Sequence, residues 1–345
     1  MLQKPVTQSY STLFRVLAGT ALVFSIIAAA ITLTLLETIT TAYNEASPDN
    51  DAILQEAGPE AFPLSVFPSE KTITEIDDLL PYIDKDLADS TTKPIRTSWF
   101  QHLGRKLASV GWYQNFASPS TRILVIWPGD RKEQVVDHFG DILRWDAAER
   151  TRFETLVIER TTFEEGAFLP GRYVLSVGAT PEVAANAVVQ RFNETVRTRY
   201  TDEIANEISL QDALTLASLI EREAYSFSDM REISGVLWNR LFTDMPLQLD
   251  ASLQYIKAND PAVASWWPPV RPDDKFIDSP LNTYMYQGIP PAAIANPSPV
   301  TLLAVLNPRE TDCYFYFHDE KGELYCSEDY EEHVSKLKRV YGQGR

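Results

Sequence analysis

Apolar and polar positions along the chain change period several times, and each change predicts an element. From Val16 to Leu36 run 21 uncharged residues rich in Leu, Ile, Val and Ala. At about 1.5 Å rise per residue, a helix of that length reaches about 30 Å, enough to cross a bilayer core. The apolar run of a cleaved signal peptide is usually about 7–15 residues, so a retained span is the better reading. Thr38 to Phe62 is acidic, polar and broken by Pro and Gly, as a tether would be. Beyond it, Leu64 to Phe67 predicts a short strand. Thr72 to Ile83 predicts a short helix opened by a Thr72–Glu75 capping box, and Ser98 to Val110 a second helix ending at Gly111.

Further along, Arg122 to Trp127 (RILVIW) predicts a strand, turned by Pro128-Gly129-Asp130 into an amphipathic helix from Arg131 to Leu143. Glu164 to Tyr173 reads as a loop leading to a short strand. Thr180-Pro181-Glu182 opens a helix to about Arg199. Two helices follow, Leu210 to Tyr225 and Asp229 to Phe242, with Ser228 placed to cap the second. The first is apolar nearly all round, which marks a buried helix. Asp250 caps a short helix, Ser298-Pro299 begins another that stops at Asn307-Pro308, and a hairpin and terminal helix close the chain. The fold class expected is α+β.

Charge and composition narrow the function. With 44% hydrophobic and 23% charged residues the chain is globular rather than disordered. A net charge of −17 argues against a nucleic-acid partner, which needs a basic surface to replace phosphate counterions. Lys4 and Arg15 precede the apolar run, while residues 37–60 contain neither Lys nor Arg. That asymmetry predicts a cell-membrane protein with a cytoplasmic N-terminus and an extracytoplasmic body. Such a compartment permits a disulfide, and Cys313 and Cys326 flank a segment, CYFYFHDEKGELYC, that reads as a β-hairpin. A bridge and two buried thiols both fit that pattern. Two cysteines and four dispersed histidines, without an HExxH pair, predict no metal site. No GxSxG, P-loop or GxGxxG motif appears, so no cofactor is expected.

Glu221 follows the apolar run Ala217-Ser218-Leu219-Ile220, and Glu223 lies just beyond. A carboxyl held in apolar surroundings has a raised pKa and can donate a proton near neutral pH. From periodicity alone, a surface glutamate at a helix end, or one paired with Arg222, Arg231 or Arg240, is the better reading. Asn239, Arg240, Gln248, Asp250, Asn282, Tyr284, Gln287 and Asn296 all fall in turns or helix ends, and Trp266-Trp267-Pro268-Pro269 could add a stacking wall. Planar amides and aromatics on stiff loops suit a sugar chain, although on their own loop capping and core packing are the better reading.

The order of motifs in the second half resembles the MltG (YceG-like) family of endolytic murein transglycosylases. Glu165-Gly166-Ala167-Phe168-Leu169-Pro170 with Tyr173 is similar to that family's EGYLFPDTY, Leu216 to Glu223 to its LASIVEKE, Asn239-Arg240-Leu241 to NRL, and Leu247 to Asp250 to LQTD. Ser279 to Tyr284 resembles SPYNTY, Gly288 to Pro291 GLPP, Asn296-Pro297 NP, and Tyr314 to Phe317 with Glu332-His333 the closing YLYF and EH. The resemblance implies a catalytic Glu221 that cleaves the MurNAc–GlcNAc β-1,4 bond without water, leaving 1,6-anhydro-MurNAc. It implies a glycan groove lined by Gln248, Asp250, Asn282, Tyr284 and Asn296, with Glu223, Asn239 and Arg240 as further binding residues. Asp250 could instead serve only as a helix cap. Peptidoglycan strands are the implied partner, cell-wall synthases are candidate partners, and the implied role is to end nascent strand elongation.

The implied organisation is a tail over 1–12, a transmembrane helix over 13–36, a linker over 37–61, a LysM-like α/β module over 62–160 and a mainly helical catalytic region with a C-terminal β-hairpin over 161–345. The chain departs from the family pattern at Ala224, Leu249 and Ala292-Ala293, and in a longer connection from Lys257 to Lys275. A hydrolytic muramidase using Asp250 as second carboxylate and a silent peptidoglycan-binding or divisome scaffold are the competing readings.

Overall fold

The computed structural model describes residues 60–79, Tyr82 and residues 120–342. They fall in one compact unit, Pro59–Arg345. The expected tail over 1–12, the span over 13–36, nearly all of the linker and the helix over Ser98 to Val110 lie outside the described residues, as does much of the expected LysM-like module. Among the described residues no helix is long and apolar enough to cross a membrane. The architecture is α+β, mostly helical with small antiparallel hairpins.

The helix expected from Thr72 is instead half of a hairpin. Strand β1 (Val66–Phe67) pairs with β2 (Thr72–Ile73), Val66 opposite Ile73. Pro68 to Lys71 makes the turn, with Lys71 left-handed at φ 56°. β-branched Thr72 and Ile73 fit a pleat better than a helix start. Glu75, the expected capping partner, instead faces Arg231 and Arg309, each at 3.6 Å.

An α/β layer follows. Strand β3 (Thr121–Ile126) pairs antiparallel with β4 (Gly171–Ser176), Leu124 opposite Tyr173. This pairing joins residues on either side of 160, so a boundary there cuts through a sheet. Helices α1 (Lys132–Leu143), α2 (Ala147–Thr161) and α3 (Pro181–Thr195) belong to the same layer. Leu124, Ile126, Tyr173 and Leu175 point into an apolar core with Phe139, Phe153 and Phe168. Sequence reading missed α2, although Asp146 and Glu149 form its capping box, each bond 2.9 Å. The helix expected to run to Arg199 stops at Thr195 and gives way to a 3-10 turn, Arg197–Arg199.

The second core is helical. Its elements are α4 (Asp202–Glu207), α5 (Leu210–Glu223), α6 (Phe227–Phe242), α7 (Asp250–Ala258) and α8 (Pro299–Leu306). Every residue of α5 from Ala213 to Ile220 is buried, as is all of α8. Ser226, not Ser228, caps α6, accepting the Asp229 N–H at 3.2 Å. Asp250 is the first residue of α7 rather than its cap. Leu249 holds the cap position, its N–H donated to Thr283 Oγ1 at 2.9 Å. The Cys segment is a hairpin of β5 (Phe315–His318) and β6 (Leu324–Ser327), followed by α9 (Tyr330–Tyr341). Cys313 and Cys326 form a disulfide.

Candidate active site

Glu221 occupies the last turn of α5, where the buried helix meets the start of α8. Its Oε2 accepts the backbone N–H of Ser298 and the Ser298 hydroxyl, each at 2.9 Å, and the Thr301 hydroxyl. Among the described residues no protein group donates to Oε1. Burial pushes the carboxyl above its usual range, opposed by the Thr301 and Ser298 donors and the charge of Arg222. One oxygen is therefore anchored, and the other is not.

Two loops distant in sequence complete this corner. Gly129 N–H donates to Asn296 O and Asn296 N–H to Asp130 O, both at 2.9 Å. Gly129 is left-handed at φ +79°, and a Cβ there would stand 3.2 Å from Arg222 Cδ and 3.7 Å from Glu221 Cγ. The missing side chain lets the Pro128–Asp130 turn lie against Glu221. Asn296 locks the arrangement. Its Oδ1 accepts Gly166 and Phe168 N–H at 3.0 and 2.9 Å, and its Nδ2 donates to Asp130 O at 2.9 Å and Glu165 Oε1 at 2.7 Å. Glu165 also accepts the Lys132 N–H at 2.9 Å. Burial and the charge of Glu133 push Glu165 up to about 8, against the Lys132 N–H and the charges of Lys132 and Arg131.

Glu223, Asp250, Tyr284 and Arg240 gather beside α7. Tyr284 hydroxyl donates to Asp250 Oδ1 at 2.6 Å. Burial and the Asp250 charge raise Glu223, opposed by the Ala251 N–H, the Tyr316 hydroxyl and His318. His318 Nε2 lies 3.0 Å from the buried Asp229 carboxylate. Gln248 is exposed and left-handed at φ 52°, between the buried Leu247 and Leu249.

Two expected groove residues, Asn282 and Asn296, and two further expected binding residues, Asn239 and Arg240, are placed otherwise. Asn282 and Asn296 are both 0% exposed. Asn282 Nδ2 donates to Lys275 O and Ile277 O at 3.1 and 2.7 Å, and its Oδ1 accepts the Tyr284 N–H at 2.9 Å. Asn239 ties α6 to Thr311 O and Cys313 O at 2.6 and 3.1 Å. Arg240 is buried, donating to Tyr314 O at 2.7 Å and to Leu247 O. These side chains answer buried backbone groups and set loop geometry rather than facing a ligand. Ser298, Thr301 and Glu165 escaped the sequence reading as site residues. Ser298 was legible as a helix cap, and Glu165 only as part of a motif.

A model of the YceG-like family matches residues 97–339. The endolytic murein transglycosylase of Bacillus subtilis (strain 168) is 34% identical over 178 residues, 51% of this chain and 48% of that protein. The endolytic murein transglycosylase of Streptococcus pneumoniae serotype 2 (strain D39) is 28% identical over 179 residues, 49% of this chain and 31% of that protein. The matches thus span about half or less of these curated relatives. The crystal structure of a YceG-like protein from Listeria monocytogenes superposes with a TM-score of 0.54 at 25% identity, covering 62% of this chain and 75% of that one.

Proposed function

The chain belongs to the YceG-like family, and from that premise we propose that it is a peptidoglycan lytic transglycosylase acting through Glu221. The observation that carries the reading is the divided environment of that carboxyl: Oε2 held by Ser298 and Thr301, Oε1 unclaimed, and burial favouring the protonated state. One such group suffices for a reaction that consumes no water. Protonated Glu221 gives its proton to the glycosidic oxygen of the departing GlcNAc as the MurNAc C1–O bond breaks. The resulting carboxylate takes the proton of the MurNAc C6 hydroxyl as O6 bonds to C1 and closes the 1,6-anhydro ring. Glu221 ends protonated, ready for another turn.

Oε2 stays fixed by its donors in both states, so the proton travels on and off one defined atom and little reorganisation accompanies the step. Gln248, Asp250 and Tyr284, with Glu223 behind them, supply polar groups for the sugar hydroxyls. The expected transmembrane helix over 13–36 would hold this region at the outer face of the cell membrane, where nascent strands emerge and can be ended.

The test is digestion of peptidoglycan by the full chain and by Glu221→Gln, with products read by mass spectrometry. Chains ending in 1,6-anhydro-MurNAc, absent with the variant, are the expected result. Reducing ends would replace the lyase by a hydrolase. Intact strands with binding retained would leave a scaffold.

A further inference from the structure

The connection after α7 carries an aromatic pair that the chemistry at Glu221 does not use. Trp267 is packed against the helical core, and the guanidinium of Arg222 sits 4.0 Å over its ring. Arg222 is the residue after Glu221, and its methylenes lie along Gly129. Trp266 is 37% exposed. Arg131, two residues beyond Gly129, stands 5.5 Å from the Trp266 ring and 4.0 Å from that of Tyr255. Each tryptophan is thus keyed to an arginine on one of the two segments that frame Glu221.

The connection is also tied down. Arg131 donates to Asn259 Oδ1 at 2.6 Å, and Lys257 Nζ donates to Pro269 O at 2.7 Å and Asp274 Oδ2 at 2.6 Å. Pro268 and Pro269 stiffen the chain directly after the pair. A partly exposed apolar ring backed by a cation–π contact and a fixed backbone has already lost much of the freedom that binding would cost it.

We infer that Trp266 is a stacking subsite flanking Glu221 that takes the apolar C–H face of a pyranose ring in a β-1,4-linked amino-sugar strand, with Trp267 and Arg131 as its positioning residues. A pyranose presents polar edges and an apolar face, and an exposed indole matches the face while Asp250, Tyr284 and Gln248 remain for the edges. The subsite rests on the glycan reading above. It acts on strand binding rather than on proton transfer, so its loss raises KM and leaves kcat unchanged.

The test uses the full chain carrying Glu221→Gln, which binds without cutting, titrated calorimetrically with soluble glycan strands stripped of stem peptides. Trp266→Ala is expected to weaken binding about tenfold, and Trp266→Phe, which keeps an aromatic face, to stay within about threefold of the parent. Phe276→Ala, at a 77% exposed position, serves as the surface control. Unchanged affinity in Trp266→Ala overturns the inference, as does an equal loss in Trp266→Ala and Trp266→Phe. If the parent binds no strands, the glycan reading falls and the subsite with it. Anhydro products from the native chain, together with unchanged affinity in Trp266→Ala, would sink the subsite alone.

Discussion

Asn296→Ala tests whether the corner beside Glu221 is built as described. The substitution removes four hydrogen bonds of a fully buried amide, and the partners do not suffer equally. Asp130 O keeps the Asn296 backbone N–H at 2.9 Å, and Glu165 keeps the Lys132 N–H at 2.9 Å. Gly166 and Phe168 N–H lose the acceptor at 3.0 and 2.9 Å. Two buried donors left unpaired cost about 1–3 kcal/mol each, and a water entering the vacated space recovers part of it, so a net loss of about 3 kcal/mol is expected. Equilibrium urea unfolding measures it as a lowered midpoint at unchanged slope. Asn296→Asp separates the two halves of the amide. The introduced carboxyl still accepts from Gly166 and Phe168, but it sets a second acid against Glu165. That variant is expected to be more stable than Asn296→Ala at pH 5 and less stable at pH 8. A loss below about 1 kcal/mol in Asn296→Ala, or two variants with the same pH response, would refute the reasoning.

Two further predictions follow from the carboxyls. Glu165 is raised from 4.5 to about 8; its contribution is therefore complete below pH 4.5 and is lost as pH rises through 8, on the order of a few kcal/mol. The urea midpoint of the native chain should fall relative to that of Glu165→Gln between pH 5 and 8.5, and parallel curves would count against a buried, proton-holding Glu165. Thr301 donates to Glu221 Oε2 and so favours its ionised form. Thr301→Val should raise the Glu221 pKa, moving the alkaline fall of the cleavage rate to higher pH; an unmoved limb in the pH–rate profile would mean that Glu221 is not the acid.

Elements whose signals are local were legible. β3, α1 and α8 follow from an apolar strand, a Pro-Gly-Asp turn and a Ser-Pro cap. The buried character of α5 followed from its apolar run, whereas periodicity alone did not single out Glu221, which became a candidate through the resemblance of its motif. The hairpin at Val66 was lost to a capping-box pattern, because the partners that claim Glu75 are Arg231 and Arg309, far away in sequence. Helix α2 hid behind a largely polar composition, although its cap was in plain view. Asn282 and Asn296 show the limit most clearly. An amide in a Pro-rich loop has the same chemistry whether it faces a sugar or the backbone of a neighbouring loop, and periodicity does not say which. For Asn296 the approach of the 129–130 turn decides it, which is a tertiary fact, and Asn282 is claimed by Lys275 O and Ile277 O of its own loop.

The same hydroxyl that made Ser298 legible as a cap couples fold to chemistry. Its Oγ accepts the Thr301 N–H that opens α8 and donates to Glu221 Oε2. The positive end of the α8 dipole therefore points at the carboxyl that burial is pushing towards neutrality. Burial wins, since the group remains above its usual range with the Ser298 and Thr301 donors in place. These donors limit the rise, which in the proposed reaction keeps the ionised form accessible for the second proton transfer. A carboxyl with burial alone would hold its proton too tightly to act as a base, and one with donors alone would be too acidic to protonate a leaving oxygen. Ser298→Ala would disturb the cap and the acid together, whereas Thr301→Val leaves the Ser298 cap in place and so isolates the tuning of Glu221.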